Sequence, residues 1–278
     1  MAPTSASPIA TTTAAMGEKK IKITWTARAA LGFLGGAFIA LGYLLALRVQ
    51  SGVPAGWGGV VSLLGAAVFP LGLILVLLAG AELVTGNMTA VPLAQLTSIV
   101  RVRDVVLNLA AVTVFNLVGA VFVAFVFGHL GGLTSSGAMA QTVTDVAGHK
   151  LDASFGQAFI SGIGCNWLVG LAVWLSYGAK DTVGKILAIW WPTMAFVAIG
   201  FQHVVANMFV IPAAIFEGSY SWADAFGNFA PVWLGNLVGG SVFVAGIYYL
   251  AYLRAPGSWL ARTRPRTLQP EPDEASER

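Results

Sequence analysis

His203 is the single imidazole in a run of thirty-one residues, 186–216, that holds no Asp, Glu, Lys or Arg. An imidazole titrates near pH ~6.5, so at such a position it can steer or pass a proton, and it can hydrogen-bond a small polar solute in either role. Gln202 sits beside it and Asn207 follows one helical turn later, which puts three polar side chains into one stretch of hydrocarbon. Ionisable groups inside membranes are rare, face a bundle interior or a cavity, and commonly mark ion or proton pathways. A plainer role stays open beside that one, since a lone intramembrane histidine can also bond across to a neighbouring helix.

The elements that must position these groups follow from length. A bilayer core of roughly 30 Å needs only about 20 helical residues, so the run at 186–216 predicts a tilted or broken helix, with Gly200 the candidate break. Lipid cannot satisfy freed backbone groups, so a broken helix is covered by protein or lines a wet cavity, and Gln202, His203 and Asn207 are expected to point inward. The same logic applies to residues 53–100, where Glu82 is the single charge and a second break is expected at 82–87, ahead of Pro92. Unbroken spans are expected at 29–47, 105–128, 153–179 and 225–253. Residues 131–152 form the longest polar loop and carry His149 and Lys150.

Composition agrees. Hydrophobic residues make up 57% of the chain, charged residues 10%, and mean hydropathy is +0.78, against roughly 25% charged residues in a soluble domain. The net charge of +3 is spread over loops and tails rather than gathered in one stripe, which excludes a nucleic-acid partner. Cys165 is the only cysteine, so neither an intrachain disulfide nor a cysteine metal cluster is possible. No cofactor signature is present, and Glu82 with His203 is too little for an enzyme. The domain reading is a disordered cytoplasmic tail at 1–24, a six-span channel domain at 25–254 and a second disordered cytoplasmic tail at 255–278. Thirteen of the fifteen basic residues fall on one face under this count, Arg48 and Lys150 lying opposite, so both termini are expected in the cytoplasm.

The chain also repeats itself. Asn-Met-Thr-Ala-Val-Pro from Asn87 matches Asn-Met-Phe-Val-Ile-Pro from Asn207, and Asn-Leu-Val-Gly from Asn116 matches the same four residues from Asn236, both at an offset of 120. Each unit holds three spans, so the second is threaded upside down relative to the first. The expected fold is therefore an all-α membrane protein of six transmembrane helices in two inverted three-helix repeats, about 25–130 and 150–254, with the second and fifth helices broken. Inverted repeats with matched broken helices point to a transport site at their interface.

Ala-Glu-Leu-Val-Thr-Gly-Asn at 81–87, His-Lys at 149–150, Cys-Asn-Trp-Leu-Val-Gly-Leu-Ala-Val-Trp at 165–174, Gly-Phe-Gln-His-Val-Val-Ala-Asn-Met-Phe at 200–209 and Gly-Asn-Leu-Val-Gly-Gly at 235–240 together resemble the formate/nitrite transporter family. The resemblance covers all six spans. It implies an aquaporin-like protomer, a homopentamer in the plasma membrane with one pore per protomer, and passage of small monovalent anions or their acids. On this resemblance His203 is the central pore histidine, Thr85 lies on the loop that breaks the second helix, Asn166 lines the pore and Lys150 is the lysine of the outer vestibule. Phe69, Leu73, Leu83, Val169 and Phe196 match the positions that narrow the pore on either side of the histidine.

A neutral acid escapes most of the desolvation cost that an anion meets in an apolar constriction, so protonation at or before His203 is expected. Formate is the expected substrate, nitrite next, with lactate, acetate and hydrosulfide open. A water or glycerol channel would share the architecture, but the chain carries no Asn-Pro-Ala box. The resemblance fails at one residue: the family usually carries Glu before the histidine, and this chain has Gln202.

Overall fold

The computed structural model describes residues 5–254, and the expected tail at 255–278 lies outside them. Among the described residues the secondary structure is helical, without a strand, which satisfies backbone amides inside a bilayer. The first half contains α1 (Ala6–Lys22), α2 (Trp25–Gln50), α3 (Gly59–Gly80), α4 (Val84–Leu96) and α5 (Val102–Leu130). The second contains α6 (Gly137–Leu151), α7 (Phe155–Gly178), α8 (Thr182–Ile199), α9 (Val204–Phe216) and α10 (Trp222–Leu253). Six of these, α2, α3, α5, α7, α8 and α10, are long and apolar enough to cross a membrane. The expected broken second helix is α3 with α4, and the broken fifth is α8 with α9.

Two expectations need correction. Residues 6–22, read as part of a disordered tail, form α1, and the polar loop at 131–152 contains α6. Their stability comes from docking, which composition does not report. α1 buries Ile9, Ala10 and Ala14 and lies against α4 and α7, so closely that a β-carbon on Gly17 would stand 2.0 Å from the Ala90 carbonyl oxygen. In the same way α6 packs on α9 through Met139, Val143 and Ala147. Each repeat thus keeps its three spans, the middle one broken in two, and adds a short helix before the first crossing, five helices in all.

The breaks are matched. Gly80 ends α3 at φ 91° and Gly200 ends α8 at φ 89°, in the left-handed region that costs an L side chain about 1–2 kcal/mol. Extended backbone follows, and α4 and α9 start at Val84 and Val204. The first break therefore occupies 81–83, just ahead of most of the polar stretch expected to hold it.

One asparagine locks each break. Asn116 Oδ1 accepts from the Val84 N–H at 2.8 Å, while its Nδ2 donates to the carbonyls of Gly32 at 2.7 Å and Glu82 at 2.8 Å. Asn236 repeats this on the Val204 N–H at 2.9 Å, Gly162 at 2.8 Å and Gln202 at 3.1 Å. Small residues let the spans come near enough for this. A β-carbon on Gly36 would meet the Asn116 carbonyl oxygen at 1.9 Å, and one on Gly235 would meet that of Phe159 at 2.1 Å.

Candidate functional site

The breaks bring the starts of α4 and α9 together in the middle of the protein. His203 is the residue before α9, and its Nδ1 accepts from the Ala206 N–H at 3.1 Å. Its Nε2 lies 2.8 Å from the Thr85 Oγ1 on the first turn of α4. An Nδ1 that accepts is unprotonated, so the proton of the neutral ring sits on Nε2 and is donated to Thr85. The Thr85 hydroxyl hydrogen is then free to be donated elsewhere. Both groups are buried, and the positive ends of two helix dipoles converge on them. Leu83 holds the position equivalent to His203 and provides no side-chain cap.

Aromatic rings cover the histidine. Phe196 lies over it with centroids 5.8 Å apart, Phe69 meets Phe196 edge to face at 5.7 Å, and Tyr43 meets Phe69 edge to face at 5.4 Å. Beside them opens a cavity of about 650 Å³ whose lining includes Gln50, His149, Lys150, Asp152, Phe69, Phe196, Gln202 and His203. The Lys150 ammonium stands 5.8 Å from the centre of the Tyr43 ring, within cation–π reach. Burial pushes that ammonium down to about 8.

Beside His203, polar side chains hold one another. Gln202 Oε1 accepts from Asn207 at 2.8 Å and from Asn228 at 3.0 Å, and Asn228 Oδ1 accepts from Asn207 at 2.7 Å. Gln202 Nε2 and Asn228 Nδ2 both donate to the Lys150 carbonyl, at 3.3 and 3.0 Å, fixing the C-terminal end of α6. In the first repeat Asn87 Nδ2 donates to Glu82 Oε2 at 2.7 Å and to Asn108 Oδ1 at 2.9 Å, while Asn108 donates to the Lys20 carbonyl at 3.3 Å. Asn207 is fully buried, and its amide nitrogen holds this clamp.

Asn166 is fully buried. Its Nδ2 donates to the carbonyls of Thr85 at 3.1 Å and Asn236 at 2.7 Å, tying α7 to α4 and α10. Its amide nitrogen therefore positions Thr85 rather than facing the 650 Å³ cavity, whose lining does not include it. Phe69 and Phe196 do line that cavity. Leu73, Leu83 and Val169 do not, and all three are buried.

Sequence reasoning missed Tyr43, Lys20, Ser161, whose Oγ accepts from the Gln202 N–H at 2.9 Å, and the pair Asn108 and Asn228. The last two carried a signal, since they too stand 120 apart.

The model of the formate/nitrite transporter family matches residues 7–250. The chain belongs to this family. It is 60% identical over 236 residues to YrhG, an uncharacterised transporter of Bacillus subtilis (strain 168), covering 85% of this chain and 89% of that protein. To the formate channel BtFdhC of Bacillus thuringiensis it is 53% identical over 236 residues, covering 85% and 91%. Among solved structures an FNT family ion channel superposes with a TM-score of 0.82 at 30% identity, over 88% of this chain and 98% of that one. A pentameric formate channel with formate bound gives a TM-score of 0.71 at 31% identity, over 83% and 98%. Formate/nitrite transporter family members are channels and transporters rather than enzymes, and this one is a multi-pass membrane protein by its six spans.

Proposed function

We propose that this chain forms a homopentameric channel in the plasma membrane, both termini cytoplasmic, that carries formate first and nitrite second through a pore in each protomer. The observation that carries the reading is a vestibule lined by Lys150 together with Phe69, Phe196 and His203. The lysine raises the local concentration of a small anion, because charge acts furthest between low-dielectric walls. As the anion leaves water, desolvation favours its neutral form, which then crosses the aromatic narrowing at little cost. His203 and Thr85 replace water for the neutral acid beyond it. Both imidazole nitrogens are in use in the neutral ring, which supports proton uptake in the vestibule, before His203. The relatives named as formate channels support the choice of formate.

Formate uptake by proteoliposomes tests this. Where the acid is mostly ionised, uptake is expected to rise up to about tenfold per unit fall in external pH, following the neutral fraction. Chloride, a strong-acid anion, is expected to pass poorly at every pH. Lactate and acetate belong in the same panel, and chloride flux equal to formate flux throughout would overturn the reading.

A second result separates the lysine from the acid. Lys150 loses its charge as pH rises through about 8, so the half-saturation for formate, expressed per neutral acid, should increase above that pH. Lys150→Arg keeps its charge there and should lack the increase, while Lys150→Ala should show the weaker apparent affinity at every pH. Wild-type behaviour in both variants would make Lys150 an ordinary helix-end charge with no part in transport.

A further inference from the structure

The two repeats hold equivalent lysines but treat their charges differently. Asn108 fixes the Lys20 carbonyl at 3.3 Å and Asn228 fixes the Lys150 carbonyl at 3.0 Å, so the two backbones are held by equivalent residues. In the first repeat the Lys20 ammonium then pairs with Glu82 Oε1 at 2.8 Å, with both side chains largely buried. At the position equivalent to Glu82 the second repeat has Gln202, whose amide is neutral and whose Nε2 turns to the Lys150 carbonyl. Among the described residues the ion pairs are Lys20–Glu82, Lys22–Glu18 and His129–Glu217, and Lys150 is in none of them. Asp152 also lines the Lys150 vestibule, without forming an ion pair to that ammonium.

We propose that Gln202 and Glu82 make the channel electrostatically one-sided, so that small anions are captured with higher apparent affinity from the Lys150 face than from the Lys20 face. This rests on the reading of the chain as a small-anion channel and adds a specificity-determining pair to it. The Lys20 charge is neutralised by a carboxylate 2.8 Å away, so it offers an arriving anion little attraction. The Lys150 charge is left for the anion. A carboxylate at 202 would retain the Oε1 that accepts from Asn207 and Asn228 and would replace the Nε2 with an oxygen able to take the Lys150 ammonium, as Glu82 takes that of Lys20. A passive pore keeps the same equilibrium whichever face is loaded, so the asymmetry resides in half-saturation and in initial rate, not in accumulation.

The test uses the full chain in right-side-out and inverted membrane vesicles, with initial rates of isotope-labelled formate entry measured from each face at low ionic strength and fixed pH. The wild type is expected to half-saturate at a formate concentration at least roughly threefold lower from the Lys150 face, the difference shrinking as salt screens the vestibule. Gln202→Glu should raise the half-saturation on the Lys150 face toward that of the opposite face, and Glu82→Gln should lower it on the Lys20 face. Both changes are nearly isosteric, and folding of each variant is checked by its elution as a single species. Equal half-saturation from both faces of the wild type, or sidedness unchanged in Gln202→Glu, overturns the inference while leaving the channel reading intact. Absence of formate, nitrite, lactate and acetate flux from either face overturns the channel reading and takes this inference with it.

Discussion

Asn236→Leu is expected to leave almost no folded protein in a detergent extract. Leucine shares the branching of asparagine but puts methyl groups where hydrogen-bonded atoms now stand at 2.8–3.1 Å, so crowding adds to the loss of hydrogen bonds. The substitution strips partners from three buried backbone groups at once, the Val204 N–H and the carbonyls of Gly162 and Gln202. Each orphaned group costs about 1–3 kcal/mol, and lipid or packed side chains offer no replacement. A sum of several kcal/mol is comparable with the roughly 5–15 kcal/mol by which folded proteins are stable. Asn116→Leu should behave alike, since Asn116 makes the same three bonds in the first repeat. Yield, elution profile and thermal midpoint of the purified protein are the measurements. Wild-type values for Asn236→Leu would mean that the break is held by packing alone.

His203→Leu should fold and yet lose transport by more than about tenfold. It leaves the Ala206 N–H without its cap and Thr85 without its partner, and it joins Phe196 to the buried leucines beyond as one dry stretch, in which a polar solute finds nothing to replace water. His203→Asn is the informative companion. Asparagine is a favoured residue for capping a helix start, so α9 keeps its cap and the pore keeps a polar group there, and flux should stay within a few-fold of wild type. Asparagine cannot titrate. If the anion is neutralised in the vestibule, as proposed, formate uptake by His203→Asn still rises as external pH falls. A flat pH profile in that variant would place the proton donor at the imidazole instead.

The sequence was most informative where membrane chemistry leaves few choices. A thirty-one-residue uncharged run cannot be one straight span, and a backbone freed inside lipid must be sheltered, so the broken helices and the inward cluster at Gln202, His203 and Asn207 followed from composition and length. The offset of 120 between Asn116 and Asn236 exposed the repeat, and an odd number of spans per unit then fixed its inversion. Residue types gave the chemistry available, one imidazole and one lysine on the sparsely charged face, and the family resemblance added Phe69 and Phe196 as expected constrictions.

Which of those groups meet was decided only by the fold. Thr85 and His203 stand 118 residues apart and come within 2.8 Å because two helix starts converge, and the ring's proton position follows from an N–H that the break exposes. Asn166 and Asn207 read as pore lining because polar side chains in lipid usually face a cavity, and the fold adds what their amide nitrogens hold: the Thr85 and Asn236 carbonyls for Asn166, the side-chain oxygens of Gln202 and Asn228 for Asn207. α1 looked disordered because its stability is supplied by α4 and α7 rather than by its own composition, whose helix-forming alanines are mixed with weakly hydrophobic threonines and serines. Lys20 with its carboxylate partner and Lys150, in no ion pair among the described residues, were indistinguishable as letters. Their difference is a matter of what stands next to each ammonium, and docking α1 and α6 against the two breaks decides that.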